Sequence, residues 1–361
     1  MITRAAWAAL AVVALGCLFS GVASAQSAVL PLTAAERQKI LSHGPWPPPA
    51  APDRSNATEG RAAAVELGRR LFSDPRLSAD GEISCATCHD PAAAFQDNRR
   101  VPKWGGVRNT PSLLDAAQQR WFGWDGSNDS LWAASLKPLL APTEMGQADG
   151  GVASADLVRV AKALAAYQAT LVSPRTAFDD FRDALARGDA RVAARYPAAA
   201  LRGLRLFIGE ARCSVCHSGP RFSNGEFADI GVPFFLPGGG VDPGRHGGLK
   251  ALQASPHNRL GAFNDGGAAN DARAVTTRHV LIEHRHFGEF RVPGLRQLVH
   301  TAPYMHDGSL PTLAAVVRHY SELDEDRLHA DGERILRPLR LSPMQAGDLE
   351  AFLHSLSTPP R

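Results

Sequence analysis

The chain contains the segment CATCH at Cys85–His89 and the segment CSVCH at Cys213–His217, two copies of the pattern C-x-x-C-H. They use four of the five cysteines. Two cysteines at this spacing can each bond one vinyl group of a haem, and the next residue can bind the iron; the pattern is the attachment signal of c-type haem. The sequence therefore predicts two covalently bound haems, with His89 and His217 as proximal iron ligands.

Two other kinds of site use paired cysteines, a thioredoxin-type redox pair and half of a zinc site. A redox pair does not need the histidine that follows each pair here. A zinc site would bring all four cysteines together, although Cys88 and Cys213 lie far apart in the chain. Two copies of the complete pattern favour haem over both.

Residues 1–25 have the pattern of a secretory signal. Arg4 supplies the positive charge, Ala5–Phe19 the apolar run and Ala23–Ala25 the small-residue cleavage site. The apolar run is shorter than the ~20 residues of a membrane-spanning helix. We expect export to the periplasm without a membrane span; a lipid anchor at Cys17 is the less favoured alternative.

The composition is that of a folded globular chain: 361 residues, 44% hydrophobic and 21% charged. A formal net charge of +3 is too small to suggest a nucleic-acid partner. Strand patterns are scarce, a proline-rich run suggests extended polyproline at 43–49, and the glycine-rich residues 218–275 suggest irregular structure. Apolar residues at helical spacing predict helices at 62–72, 157–171, 198–208, 312–323 and 342–356.

A short repeat precedes the two haem patterns. The sequence G-x-R-L-F occurs at Gly68–Phe72 and again at Gly203–Phe207, each time shortly before a C-x-x-C-H. Two related haem domains would explain this weak repeat. The predicted fold is therefore mainly α, with two cytochrome c-like haem domains and long irregular loops.

The ligand opposite the proximal histidine of each haem iron distinguishes electron transfer from catalysis. Two strong protein ligands suit electron transfer, whereas an open face can bind peroxide or oxygen. No histidine lies between His89 and His217, and the local methionine is Met145. We therefore predict an open face on the first haem.

The chain resembles the bacterial di-haem cytochrome c peroxidases, and in particular their MauG-like branch, over nearly all of its length after residue 25. Arg108–Pro111, Trp124–Gly126 and Pro142–Met145 follow the family's R-N-x-P, W-D-G and P-x-E-M series. Arg291–Arg296 and Thr301–Gly308 resemble the signature of its second haem domain.

The resemblance implies roles around the first haem. Glu144 matches the family's distal acid, which can take a proton from peroxide and return it to the leaving oxygen. Trp124 matches the aromatic residue between the haems, and Pro138 a proline near the open face. Without the resemblance, Glu144 would be interpreted as a surface residue and Trp124 as a core residue. Ala134 replaces the family's usual glutamine, so one distal hydrogen-bond donor is missing.

Tyr320 matches the position where the peroxidases place a methionine and the MauG-like branch a tyrosine that binds the second haem iron. A tyrosinate should lower the reduction potential of that haem relative to methionine. His319 and Met305 are rival ligands, and helical periodicity alone would make Tyr320 a packed core residue. The resemblance also implies a calcium ion bound by Asn109 and the carbonyls of Thr301 and Pro303, an all-oxygen set that suits calcium.

The expected organisation has five parts. They are a signal peptide at 1–25, a Pro-rich segment at 26–57, an open, peroxidatic haem domain at 58–196, a low-spin haem domain at 197–340, and a C-terminal helix at 341–361 that packs back on the first domain. The loop after Cys85–His89 has no displaceable histidine, so the first haem is expected to be open when oxidised.

Three functions are compatible with these features. The first is a MauG-like oxidoreductase that uses hydrogen peroxide to oxidise a partner, for which a protein substrate is one candidate. The second is a peroxidase that reduces peroxide with electrons from a small cytochrome or cupredoxin. The third is a non-enzymatic di-haem electron carrier. Tyr320 favours the first over the second, and Glu144 disfavours the third. A homodimer is compatible with all three.

Overall fold

The structure, a computed structural model, describes residues 31–49, 51–147, 154–233, 235–236, 239–332 and 335–359. The predicted signal peptide and Cys17 lie outside these residues. Within the described ranges, no helix combines the length and apolar character needed to cross a bilayer. Leu32–Arg361 forms one compact unit.

The fold is mainly helical, as the sequence predicts. One small antiparallel sheet pairs β1 (Phe227–Ala228) with β2 (Phe290–Arg291), with Phe227 opposite Arg291. The helices of the described ranges are α1 (Ala34–Leu41), α2 (Ala62–Phe72), α3 (Cys85–Cys88), α4 (Leu131–Leu140), α5 (Ala155–Gln168), α6 (Ala177–Arg187), α7 (Ala190–Ala193), α8 (Ala198–Ile208), α9 (Gly244–Ala254), α10 (Ala272–His279), α11 (Leu313–Ser321) and α12 (Pro343–His354).

All five predicted helices are confirmed, as α2, α5, α8, α11 and α12. Their ends follow from local chemistry. The Ser342 hydroxyl accepts a hydrogen bond from the Gln345 amide at 3.3 Å, while Gln345 Oε1 accepts one from the Ser342 amide at 3.0 Å. This capping box satisfies two backbone donors at the start of the helix, and Pro343 takes the first helical position, where no donor is needed.

The prediction of irregular structure at 218–275 is wrong for α9 and the start of α10. Helix α9 contains Gly248, where a Cβ atom would lie 2.1 Å from the carbonyl oxygen of Asp125. The glycine lets this helix approach another segment closely, and Leu249 and Leu252 are buried beside Trp121. The tertiary contact outweighs the low helix propensity of glycine.

The prediction of extended polyproline at 43–49 is also wrong. The chain bends there, and the Gly44–Pro45 and Trp46–Pro47 peptide bonds are cis. Trp46 is buried, and its indole Nε1 donates to the carbonyl of Ser173 at 2.9 Å. Burial of this large side chain holds the segment against the rest of the chain.

The two G-x-R-L-F segments lie in equivalent packing positions. Helix α2 packs on α5, and α8 packs on α12. A Cβ atom on Gly68 would lie 2.0 Å from the carbonyl oxygen of Ala163, and one on Gly203 would lie 1.9 Å from that of Asp348. Each glycine therefore permits direct backbone contact between the helix before a C-x-x-C-H and a later helix.

The contacts of the C-terminal helix involve both predicted haem domains, so its expected packing on the first of them stays a prediction. Helix α12 lies on α8 and α11, which belong to the predicted second domain. The ring of its Phe352 also lies 6.1 Å from that of Phe178, and the Oγ atom of Ser355 lies 2.6 Å from Tyr196 Oη, both in the predicted first domain. Phe352 shares an apolar core with Phe207 and Phe222. The close α8–α12 approach at Gly203 explains this arrangement. The boundaries at 196 and 340 stay predictions.

We expect Gly203→Ala to lower the free energy of unfolding by about 1–3 kcal/mol, because the added methyl group must push two backbones apart. Gly347→Ala is the matched control: this glycine lies on α12, and a Cβ atom there would have no neighbouring atom within 4 Å, so alanine should be neutral or stabilising by about 0.5–1 kcal/mol. Urea denaturation followed by circular dichroism measures both. Equal stability of the two variants would contradict the close contact.

Candidate haem sites

The first C-x-x-C-H forms a single helical turn, α3, that ends at His89. Ser84 begins this turn, and its amide donates to the Thr87 hydroxyl at 3.0 Å. His89 Nδ1 lies 2.9 Å from the carbonyl oxygen of Phe95. Because a carbonyl can only accept, Nδ1 carries the proton and the lone pair is left on Nε2, the atom that would bind iron. Burial lowers the pKa of His89, which keeps the ring neutral.

The second C-x-x-C-H repeats this arrangement. His217 Nδ1 lies 2.9 Å from the carbonyl oxygen of Phe222, and burial likewise lowers the pKa of His217. Phe95 and Phe222 both have left-handed backbones, with φ of 60° and 56°. Non-glycine residues rarely adopt this conformation, and where they do it tends to serve a functional site. Here it aims a carbonyl at each histidine.

The four cysteines of the two patterns are partly exposed as whole residues, but the thiols of three of them are hard to ionise. Burial raises the pKa of Cys85 and of Cys213 to about 12, and that of Cys88 to about 11. A reactive redox pair needs the opposite, a thiolate stabilised at neutral pH. In the part of the chain that is described, the cysteines contribute to no cluster that could hold a metal ion. The residues present fit thioether attachment of haem better than either rival.

A cavity of about 1170 Å³ lies against the second C-x-x-C-H. Cys213, Cys216 and His217 line one part of it, and Leu313 and Val317 of α11 supply apolar walls. A large, mostly apolar cavity beside two cysteines and a neutral histidine fits a haem group.

Tyr320, on α11, lines this cavity. Met305, which lies before that helix in the chain, lines it as well. Burial, with a smaller effect of Cys213 and Cys216, raises the pKa of the Tyr320 phenol. His319 does not line the cavity, and its Nε2 lies 2.7 Å from the carbonyl oxygen of Ile230. Adjacent residues on a helix point about 100° apart, which separates the environments of the two rival ligands.

Glu144 lines a second cavity, of about 300 Å³, together with Asp80. Burial raises the pKa of its carboxyl, and Lys137 partly opposes this. The Glu144 carboxylate is in turn one of the charges that raise the pKa of Cys88 in the first C-x-x-C-H, after the larger effect of burial. Gly105 packs against it: φ is +85°, and a Cβ atom there would lie 2.6 Å from Glu144 Cγ. A half-buried carboxyl of raised pKa is suited to moving a proton.

Pro138 shapes the segment that carries Glu144. It lies inside α4 and has no amide hydrogen, so it cannot donate to the carbonyl of Ala134 one turn earlier. Its own carbonyl accepts from the Met145 amide at 3.1 Å, which turns the chain back after the helix. Met145 is buried in the core around α2, α4 and α5.

Trp124 connects segments that are distant in sequence. Its indole Nε1 donates to the carbonyl of Asn109 at 2.8 Å, and its own carbonyl accepts from the Arg291 amide at 2.8 Å. Its side chain lines the large cavity together with His217. The structure therefore places this tryptophan at the wall of the large cavity rather than in an isolated core.

The three predicted calcium ligands, Asn109, Thr301 and Pro303, line the same large cavity. Asn109 Nδ2 donates to the carbonyl of Arg99 at 2.7 Å, which leaves its oxygen for another partner. Sequence reasoning missed Gln96, whose Nε2 donates to the carbonyls of His300 and Ala302 at 3.2 and 3.0 Å. Its Oε1 is buried with no hydrogen-bond partner, and an orphaned oxygen beside this loop fits a hard cation.

Other residues of the matched segments form buried ion pairs. Arg108 binds Asp125 at 2.6 Å and Asp242 at 2.7 Å, and Arg296 binds Asp179 at 2.8 Å. The pairs with Asp242 and Asp179 join segments more than 100 residues apart in the chain, which explains why residue patterns did not reveal them. Their role is to hold the loops around the cavity.

Comparison with known proteins agrees with this geometry. The sequence profile of the di-haem cytochrome c peroxidases matches residues 62–157. The methylamine utilization protein MauG of Methylorubrum extorquens is 35% identical, with 82% of this chain and 78% of that protein covered. The cytochrome-c peroxidase IdrP2 of Pseudomonas sp. (strain SCT) is 31% identical, with 91% and 88% covered.

The fold is also similar to that of solved structures. A crystal structure of a MauG-like protein associated with microbial copper homeostasis has a TM-score of 0.61 and 27% identity, covering 87% of this chain and 93% of the other. Similarity to MauG and to a cytochrome-c peroxidase over most of the chain matches the paired C-x-x-C-H sites and their neutral histidines. The chain is thus an enzyme that belongs to the di-haem cytochrome c peroxidase family.

Proposed function

We propose that this protein is a MauG-like oxidoreductase that activates hydrogen peroxide at a haem held by Cys85, Cys88 and His89 and oxidises a partner through a second haem held by Cys213, Cys216 and His217. Bound haem would supply the reducing equivalents and the iron at which peroxide is cleaved. The observation that carries the MauG-like assignment is the position of Tyr320 in the cavity of the second site, with His319 bonded elsewhere.

Glu144 is the proposed proton carrier at the first site. Its raised pKa makes the carboxyl a ready proton donor once it has accepted a proton from peroxide. The charge of Lys137 opposes the rise of the Glu144 pKa, which favours the carboxylate form needed for the first transfer. Pro138 positions this segment, because its carbonyl accepts a hydrogen bond from the Met145 amide. Ala134, at the position of the family's glutamine, supplies no polar group.

Trp124 is the proposed relay between the sites. Its hydrogen bond to Asn109 and its place in the cavity of the second site support this role. Asn109, Thr301 and Pro303 are the proposed calcium ligands, and the orphaned Gln96 oxygen supports a cation at this loop. The equivalent α2–α5 and α8–α12 pairs support two related haem domains, for which we propose the ranges 58–196 and 197–340, with the C-terminal helix completing the second pair.

A cytochrome-c peroxidase that takes electrons from a small cytochrome or cupredoxin is the second candidate. The similarity to a cytochrome-c peroxidase over 91% of this chain favours it. Rapid peroxide-dependent oxidation of a reduced small cytochrome would support this candidate, whereas oxidation of a partner protein without such turnover would support the MauG-like one. Both proposals place the protein in the periplasm, after cleavage of residues 1–25.

The oxidised holoprotein is expected to show one high-spin and one low-spin ferric haem by electron paramagnetic resonance. The first site has no local histidine for a sixth ligand, whereas Tyr320 is available at the second. Two low-spin signals in equal amounts would exclude an open first site. That result would leave an electron carrier as the better interpretation.

A further inference from the structure

The large cavity is lined by four buried arginines. The guanidinium groups of two of them, Arg296 and Arg245, have two hydrogen bonds each to acceptors in the protein. Arg296 binds both carboxylate oxygens of Asp179, at 2.8 and 2.9 Å. Arg245 donates to the carbonyls of Asp125 and Gly126, at 3.3 and 2.9 Å, and its guanidinium lies 3.9 Å from the ring centre of Phe227. Arg245 forms no ion pair, but the charges of Asp125, Glu226 and Glu289 act on it and oppose the lowering of its pKa by burial.

Arg221 and Arg291 are different. They are 8% and 6% exposed, yet neither forms an ion pair with a carboxylate among the described residues. Arg291 Nε donates to the carbonyl of Gly123 at 3.1 Å, and no described group accepts a hydrogen bond from the Arg221 side chain. A buried cation without a counter-charge is strongly unfavourable.

The two guanidinium groups also lie close enough to repel each other. The Leu295 amide donates to the Arg221 carbonyl at 3.2 Å, so the segment that carries Arg221 runs beside the segment that carries Arg291. Burial, together with the charge of Arg221, lowers the pKa of Arg291 to about 9. Burial lowers the pKa of Arg221 as well.

Asp115 is the carboxylate that interacts with Arg221 over a longer range, but it is a poor counter-ion. Its Oδ1 accepts from the Ser173 amide at 2.8 Å. Burial raises the pKa of its carboxyl, which favours the neutral form. The charge of the arginine pair is therefore not compensated by the described part of the protein.

We propose that Arg221 and Arg291 form an anion site for the propionate carboxylates of haem. The pair faces the cavity that Cys213, Cys216 and His217 also line, so the propionates of the second haem are the favoured source. Two guanidinium groups match the two carboxylates of a haem, and each can form a bidentate pair. The inference rests on the proposed placement of a haem in this cavity.

This site has a consequence for electron transfer. Positive charge beside a haem favours its reduced form, because reduction adds one negative charge. Arg221 and Arg291 would therefore raise the reduction potential of the adjacent haem and oppose the lowering expected from Tyr320. They are positioning residues for the cofactor and need not touch peroxide.

The test is a spectroelectrochemical titration of the full-length holoprotein with Arg221→Gln or Arg291→Gln. Each substitution is expected to shift the equilibrium of the second haem at least tenfold toward the oxidised form, which is 59 mV for one electron. Arg120→Gln is the matched control: Arg120 lines the same cavity, but it is exposed and bonds Thr276 Oγ1 at 2.8 Å. Its potentials should equal those of the unmodified protein.

A shift confined to the first haem would assign the site to the other pair of propionates. Potentials unchanged at both haems would overturn the proposal. If the glutamine variants do not retain two haems, Arg221→Lys is measured instead, because lysine preserves the positive charge but not the bidentate geometry. It should then alter the propionate bending modes in resonance Raman spectra, and unaltered modes would also overturn the proposal.

The readout differs from that for the proposed function. The axial-ligand spectrum of the second haem should be unchanged in Arg221→Gln, whereas loss of Tyr320 should change it. A result that overturns the anion site would therefore not contradict the proposed peroxide site or the proposed ligation of the second haem by Tyr320.

Discussion

Glu144→Gln is expected to slow the consumption of hydrogen peroxide by about 100-fold, the lower end of the contribution of a positioned acid–base group. Glutamine keeps the size and polarity of the side chain but cannot accept a proton from peroxide and return it. The half-buried site excludes much of the solvent that could substitute for it. Stopped-flow absorbance after mixing with peroxide measures the rate.

Asp80→Asn is the matched control, because Asp80 lines the same small cavity. Its carboxylate accepts a hydrogen bond from the Ser78 hydroxyl at 2.6 Å, and the amide oxygen of asparagine can accept the same bond. The rate of this variant should stay within about twofold of the unmodified protein. A rate loss of less than tenfold in Glu144→Gln, or an equal loss in both variants, would remove Glu144 from the proposed role.

The pH profile of the same reaction gives a second check on Glu144. The carboxyl must be ionised to accept the proton from peroxide, and burial raises its pKa. The rate should therefore fall as the pH decreases through this raised pKa. That acidic limb should be absent in Glu144→Gln, whose side chain does not titrate.

Tyr320→Met is expected to shift the reduction equilibrium of the second haem by more than tenfold toward the reduced form. A thioether stabilises the reduced iron, whereas an anionic phenolate stabilises ferric and higher states. Burial raises the pKa of the phenol in the protein alone, so ligation would have to supply the energy that keeps it ionised. Potentiometric titration and low-temperature electron paramagnetic resonance measure both properties of the haem.

Two controls separate ligation from packing. Tyr304→Phe removes a hydroxyl in the same cavity that donates to the carbonyl of Leu298 at 2.8 Å, and His319→Gln removes the rival ligand. Neither should change the low-spin signal. An unchanged signal in Tyr320→Met together with a changed one in His319→Gln would transfer the ligand assignment to His319.

The parts of this protein that could be predicted are governed by neighbours in sequence. The haem attachment pattern needs five consecutive residues, and the helix ends at Ser342 and Thr312 need a hydroxyl near the first turn. The apolar spacing of 198–208 and 342–356 predicted both helices correctly. It did not predict that they pack on each other, because that depends on the contact between Gly203 and Asp348.

Local patterns were misleading where a distant contact dominates. The glycines of α9 suggest a loop by propensity, but Gly248 is required for close contact with the Asp125 carbonyl. The same limit applies to charge. Arginines 221, 291 and 296 look alike in sequence, and only the fold shows that Asp179 neutralises the last of them.

Sequence alone was sufficient to predict two haem attachment sites and to identify a mainly helical chain that belongs to a peroxidase family, because attachment patterns, family motifs and helix formation depend on residues a few positions apart. The tertiary structure decided which side chains face the second site: Tyr320 lines its cavity, His319 bonds a carbonyl elsewhere, and Arg221 and Arg291 carry charges that no described carboxylate offsets. Burial and charge compensation are properties of three-dimensional packing, and they bring together residues that the chain order keeps far apart.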